Sequence, residues 1–164
     1  MNNQEKINKV AEIVKDIRTC MFTTESKQGD MISRPMSTID FDEEGNIWFF
    51  TDINSDKVDE LKEQKNVLLS YAKPSNNTFL SITGNATISD DQSKKEEKFG
   101  TISKAWFPEG PTSEKLALIK FTPDSAEYWD SPNSSLVQLF RIGKAIAMNT
   151  KYEGSNDENE TVEM

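Results

Sequence analysis

Apolar residues along this chain recur at two different spacings. From Gln4 to Arg18, Ile7, Val10, Ile13, Val14 and Ile17 fall three and four positions apart, which predicts an amphipathic helix laid over the end of a sheet or barrel. Beyond it the pattern shifts to alternation or short apolar runs. Thr19–Thr24, Met31–Ile39, Ile47–Thr51, Asn66–Tyr71, Thr78–Ser89, Leu116–Thr122 and Ala126–Asp130 read as strands. Turn chemistry separates them: Gly29 within 25–30, Asp42-Glu43-Glu44-Gly45-Asn46, Lys73-Pro74-Ser75-Asn76-Asn77 and Pro123-Asp124, with Gly84 marking a bulge. Helical spacing returns from Ser55 to about Gln64, from Asp90 to about Lys104 in a charged run, and from Ser134 to Met148. Several short strands with few helices predict a mainly β fold, an all-β barrel with peripheral helices, as one domain over residues 1–149. Residues 150–164 carry five acids against one lysine and are expected to form a loosely held or disordered tail.

Composition narrows the function. A formal charge of −9 over 164 residues, without a basic face, argues against nucleic acid or an anionic membrane as partner. No charged-then-apolar leader and no apolar run near the ~18 residues of a membrane span are visible, so a soluble, cytoplasmic protein is expected. Cys20 is the one cysteine, set in the apolar run Thr19-Cys20-Met21-Phe22, and reads as a buried inert thiol. There is no histidine, which removes Ser-His-Asp and Cys-His hydrolases in their usual form and most zinc, non-haem iron and haem sites. An all-carboxylate metal site stays open, although the acids lack EF-hand spacing. The seven glycines form neither a dinucleotide fingerprint nor a P-loop.

The candidate chemistry lies between Asp30 and Glu60. Arg34 falls in a strand-like run, and Pro35 removes a ladder donor, which places Arg34 near a sheet edge or bulge. A guanidinium there suits a phosphate or carboxylate. After the aromatic run Ile47-Trp48-Phe49-Phe50-Thr51, Asn54 or Ser55 is a natural N-cap for the helix through Val58 and Leu61, though Val58 stands where a capping box needs an acid. The N–H groups of that helix start, the hydroxyls of Thr51 and Ser55 and the Lys57 ammonium are able to converge on one anion. The alternative is that Arg34 and Lys57 are ordinary surface charges and Ser55 only a cap.

Taken in order, Ser33-Arg34-Pro35-Met36, Ile47–Thr51, Ser55-Asp56-Lys57, Ile82-Thr83-Gly84-Asn85-Ala86, Trp106-Phe107-Pro108-Glu109-Gly110 and Ala126-Glu127-Tyr128-Trp129-Asp130 resemble the pyridoxamine 5′-phosphate oxidase-like family of FMN-binding split barrels, general stress protein branch. The resemblance covers Glu5 to Met148 and implies a six-stranded antiparallel Greek-key barrel that forms a homodimer, with a flavin in each cleft between subunits. It implies that Arg34, Ser55 and Lys57 hold the FMN phosphate, that Pro35, Met36 and Ser37 line the ribityl chain and ring edge, and that Phe50 and Thr51 lie beside the ring system. Where the oxidases carry adjacent Arg-Lys, this chain has Asp56-Lys57, which leaves lower phosphate affinity or acceptance of FAD as alternatives. Trp106 and Phe107 either stack near the ring from the partner subunit or plug a barrel end, and Trp129 reads as core.

The implied function is a flavin-dependent oxidoreductase passing electrons from NAD(P)H to a small acceptor, with no catalytic side chain of its own and no metal. Oxidation of pyridoxamine phosphate itself is disfavoured, because the oxidases' C-terminal Arg-x-His pair has no counterpart here. Two rivals stand beside it: a non-catalytic flavin buffer or sensor, and a cofactor-free interaction module. Relatives also use a deazaflavin or haem, the latter weakened here by the lack of histidine.

Overall fold

The computed structural model describes residues 3–130 and 159–163. Helix α1 (Asn3–Ile17) is followed by β1 (Thr19–Glu25), β2 (Met31–Phe41), β3 (Ile47–Asp52), α2 (Asp56–Glu63), β4 (Asn66–Lys73), β5 (Thr78–Ser89), α3 (Gln92–Lys98), α4 (Thr101–Trp106), β6 (Leu116–Asp130) and β7 (Asn159–Glu163). The strands run antiparallel in the order β3-β2-β1-β4-β5-β6, and β3 pairs with β6 to close a six-stranded barrel, with β7 added on β6. Its interior holds Phe22, Phe49, Leu69, Tyr71, Leu80, Ile82, Ile119 and Phe121, and Phe22 meets Phe49 edge to face at 5.4 Å. Val10, Ile13 and Val14 of α1 join this core, because their helical spacing turns one apolar stripe onto it. Cys20 is buried there, and burial pushes its thiol up to about 12, which keeps it protonated and unreactive at neutral pH.

Strand β2 is lopsided. Residues 31–37 pair with β1, whereas only residues 38–41 reach β3, with a register shift between Thr38 and Asp40. Pro35 therefore stands opposite Met21 with no strand on its other side among the described residues. This is the edge position its missing N–H calls for.

Three elements differ from the sequence expectation. The stretches 116–122 and 126–130 are one strand, β6, running through Pro123, because the ladder shifts register at Gly84 opposite it. A side chain at Gly84 would put its Cβ 2.3 Å from the Thr122 carbonyl oxygen and 2.9 Å from Pro123 Cα, so only glycine lets the proline sit there. The charged helix expected over 90–104 is two, α3 and α4, parted where Phe99 turns extended and Gly100 follows. The Phe99 ring packs edge-on to Phe50 of β3 at 6.0 Å, a tertiary contact that overrides helix propensity. Third, residues 159–163, where no strand was expected, pair with Ser125–Trp129 as β7. The helix expected from Ser134 to Met148 lies outside the described residues.

Candidate functional site

The site grows from the connection between β3 and α2. Asp52 Oδ1 accepts the Asn54 N–H at 2.8 Å, Ser55 N–H bonds to the Asp52 carbonyl at 3.0 Å, and Ile53 N–H reaches the Lys115 carbonyl at 2.8 Å. Ser55 then takes the extended N-cap conformation, yet its hydroxyl makes no capping bond to the helix. It lies 3.2 Å from the Thr51 hydroxyl instead, so the pair of hydroxyls faces the same locus as the first turn of α2. Of the two N-cap candidates, Asn54 and Ser55, the structure uses Ser55, and the capping bond is absent.

Lys57, one residue into α2, donates to Thr51 Oγ1 at 3.2 Å and is half-buried. Burial, and then the neighbouring Arg34 guanidinium, hold its ammonium below the ordinary lysine value, while Asp52, Glu60 and Asp56 pull the other way. Two cations thus stand within electrostatic reach of each other.

Arg34 is not a loose surface charge. Its Nη1 donates to Thr24 Oγ1 at 2.8 Å and its Nη2 to Glu60 Oε1 at 2.7 Å, and Thr24 donates in turn to Glu60 Oε2 at 2.6 Å. Thr24 is fully buried, and the Arg34 and Glu60 side chains are 23% and 10% exposed. Burial alone would raise the Glu60 carboxyl, but the bonds from Arg34 and Thr24 and the charges of Arg34 and Lys57 outweigh it and hold it below the usual range. Glu60 is therefore ionised at neutral pH. A guanidinium with two of its five N–H groups engaged keeps donors for a further acceptor.

The structure thus brings Arg34, Thr51, Ser55 and Lys57 into one group, and its donor set suits a phosphate: a planar cation, an ammonium, two hydroxyls and a helix start. The other residues named from the sequence are arranged differently. Met36 shares Arg34's side of β2 and packs against the core, whereas Pro35 and Ser37 alternate to the exposed face. Phe50 likewise points to the opposite face of β3 from Thr51, against Phe99. Trp106 is 79% exposed at the end of α4, so within one chain it plugs nothing, and Phe107 is half-buried beside it. Trp129 is half-buried outside the core cluster, because alternation along β6 turns its neighbour Tyr128 inward.

Sequence reasoning missed Thr24 and Glu60. Thr24 continues the inward register of Cys20 and Phe22 along β1. Glu60 lies three positions beyond Lys57, on the same helical face, with Leu61 beside it in the buried set of α2. An acid in that register is a signal, because a buried carboxylate requires a partner.

A family model described as pyridoxamine 5′-phosphate oxidase like matches residues 5–153. Protein bli-3 of Neurospora crassa is 26% identical over 152 residues, covering 87% of this chain and 73% of its own. The solved structure of the general stress FMN/FAD binding protein of Xanthomonas citri superposes with a TM-score of 0.69 at 27% identity, over 80% of this chain and 92% of that one. General stress protein 26 of Bacillus anthracis shares the fold, with a TM-score of 0.67 at 24% identity over 76% and 93% of the two chains. No helix among the described residues is long and apolar enough to cross a membrane.

Proposed function

Because the chain belongs to the pyridoxamine 5′-phosphate oxidase-like family, we propose that it binds a flavin, FMN before FAD, through the phosphate, and serves as a flavin-dependent oxidoreductase. The observation that carries this reading is the gathering of the Thr51 and Ser55 hydroxyls and the Lys57 ammonium at the start of α2, with the Arg34 guanidinium bonded to Glu60 of the same helix. The flavin-binding relative from Xanthomonas citri supports the choice of cofactor.

When bound, the isoalloxazine supplies the hydride and electron chemistry. The protein's part is to hold and orient. Arg34 offers its remaining N–H groups to phosphate oxygens, Lys57 supplies a second positive charge, and Thr51 and Ser55 donate hydroxyl hydrogens. Pro35 and Ser37, on the far face of β2 from Arg34, reach the ligand through main-chain groups only. A small-molecule acceptor is the expected partner in turnover, with NAD(P)H as donor.

The same reading includes a homodimer with Trp106 and Phe107 reaching the partner's flavin. Its support is a run of uncharged positions on the outer sheet face: Pro35, Met21, Ser70 and Ser81 form one cross-strand row that meets a charge only at Glu127 of β6, and Ala72 pairs with Phe79 in the next. Met21 is 42% exposed, Phe79 39% and Trp106 79%, which is costly for a free chain. Light scattering at micromolar concentration should give twice the chain mass; a monomer would contradict it.

The reading is tested by adding NADH or NADPH under anaerobic conditions to the FMN-loaded protein. Bleaching of the flavin absorbance that a small acceptor reverses supports an oxidoreductase. Tight FMN binding without donor-dependent bleaching would replace it with a flavin buffer, and a protein that takes up no flavin would leave an interaction module.

A further inference from the structure

Within the phosphate site just proposed, one feature opposes the function. Glu60 is a buried, ionised carboxylate placed against the guanidinium that is to receive an anion. A negative charge there weakens phosphate binding by Coulomb repulsion, so its presence needs a reason. The hydrogen bonds supply one. Arg34 Nη1 to Thr24, Thr24 to Glu60 Oε2 and Arg34 Nη2 to Glu60 Oε1 form a closed ring across β2, β1 and α2. A ring of this kind fixes the plane of the guanidinium, where a lone Arg34 would lose rotamer freedom on binding.

We propose that Glu60 is the positioning residue of this site: with Thr24 it holds Arg34 in its anion-receiving orientation, and its charge sets how strongly the site takes a phosphate. The inference rests on the phosphate-site reading and assigns Glu60 and Thr24 roles in it through the hydrogen bonds they make. Arg34 and Lys57 together repel each other, and Glu60 offsets that repulsion while no ligand is present. The arrangement exchanges affinity for orientation. A ligand bearing more negative charge feels Glu60 more, and the neutral ribityl and ring portions of a flavin do not feel it.

The two roles separate by substitution. In Glu60→Gln the ring still closes: the amide oxygen accepts from Arg34, the amide N–H donates to Thr24, and the Thr24 hydroxyl turns to the Ile32 carbonyl already 3.4 Å away. The charge is gone and the shape is kept. FMN binding should tighten by about threefold to tenfold with riboflavin unchanged. In Thr24→Val the shape and charge remain but the ring is open, and FMN binding should weaken by about threefold to tenfold, again with riboflavin unchanged.

The ratio of FMN to riboflavin affinity is the readout, since damage to the fold would move both ligands together. The expected result is a ratio above the wild-type value in Glu60→Gln and below it in Thr24→Val. A ratio equal to wild type in both variants, or weaker FMN binding in Glu60→Gln, overturns the proposal while leaving the phosphate site standing. A wild-type protein that binds FMN and riboflavin alike overturns the phosphate site and this inference with it.

Discussion

Two polar clusters in this molecule are built from the same parts, a β-hairpin and a helix, and they treat charge in opposite ways. At the β2–β3 turn, Lys94 of α3 bridges Asp40 at 2.9 Å and Asp42 at 3.8 Å, Lys98 bridges Asp40 at 3.4 Å and Glu97 at 2.8 Å, and Lys120 reaches Glu44 at 3.9 Å. Trp48 is held in the middle: its Nε1 donates to Asp42 Oδ2 at 2.7 Å, and Lys94 and Lys120 lie 4.4 and 5.6 Å from its ring centre. Every cation there has a carboxylate. At the other cluster Arg34 is ion-paired with Glu60, whereas Lys57 is hydrogen-bonded to a hydroxyl and feels Asp52, Glu60 and Asp56 only through their charge.

The lysines record the difference. The bond to Glu97, opposed by burial and assisted by Asp40, raises Lys98 above its ordinary value; burial and Arg34 lower Lys57. The first network closes every ammonium into an ion pair, whereas the second leaves the Lys57 ammonium on a hydroxyl, open to an anion.

The comparison can be broken most forcefully at Trp48, which is 6% exposed. Trp48→Ala should cost about 3–5 kcal/mol of stability in denaturant titration and leave flavin affinity unchanged wherever the chain still folds. At the other cluster, Arg34→Ala and Lys57→Ala should each weaken FMN binding by about 1.5–3 kcal/mol and leave riboflavin affinity unchanged. If either variant lowered both affinities equally, the cluster would be structural like its counterpart.

A pH series sharpens the contrast. Phosphate favours charged Lys57, so FMN affinity should be highest below that residue's lowered value and decline as the pH rises through it, before the ordinary lysine value of about 10.4 is reached. Lys98 has the opposite sign. Its raised value means that its stabilising contribution is full below about 10.4 and is lost only as the pH climbs through the folded value, so FMN affinity should fall first. The smallest effect belongs to Lys94→Gln, where losing the ring contact and the ion pairs should cost about 0.5–1 kcal/mol in thermal unfolding.

Much of this was legible in the sequence, because period-two alternation and turn residues are local signals. β5 runs over Thr78–Ser89 as expected, Gly29 and Gly45 take positive φ in their turns, and Gly84 marks a register shift. The nearness of Thr51, Ser55 and Lys57 was also traceable, since a polar turn between a strand and a helix brings its own residues together, whereas Arg34 comes from β2. What escaped depends on distant partners. Glu60 reads as a solvated acid until β1 and β2 are known to face α2, and Thr24 reads as one more strand threonine. The break at Phe99 and the pairing of 159–163 with β6 have the same origin: each is decided by a surface that the local pattern does not contain.

The central claim is that the Arg34 and Lys57 group holds a phosphate, and the most direct measurement is a side-by-side titration of the wild-type protein with FMN and riboflavin, which differ by that group. At least two bonds to charged groups should make FMN tighter by roughly a hundredfold or more. Equal affinity for the two flavins would contradict the account.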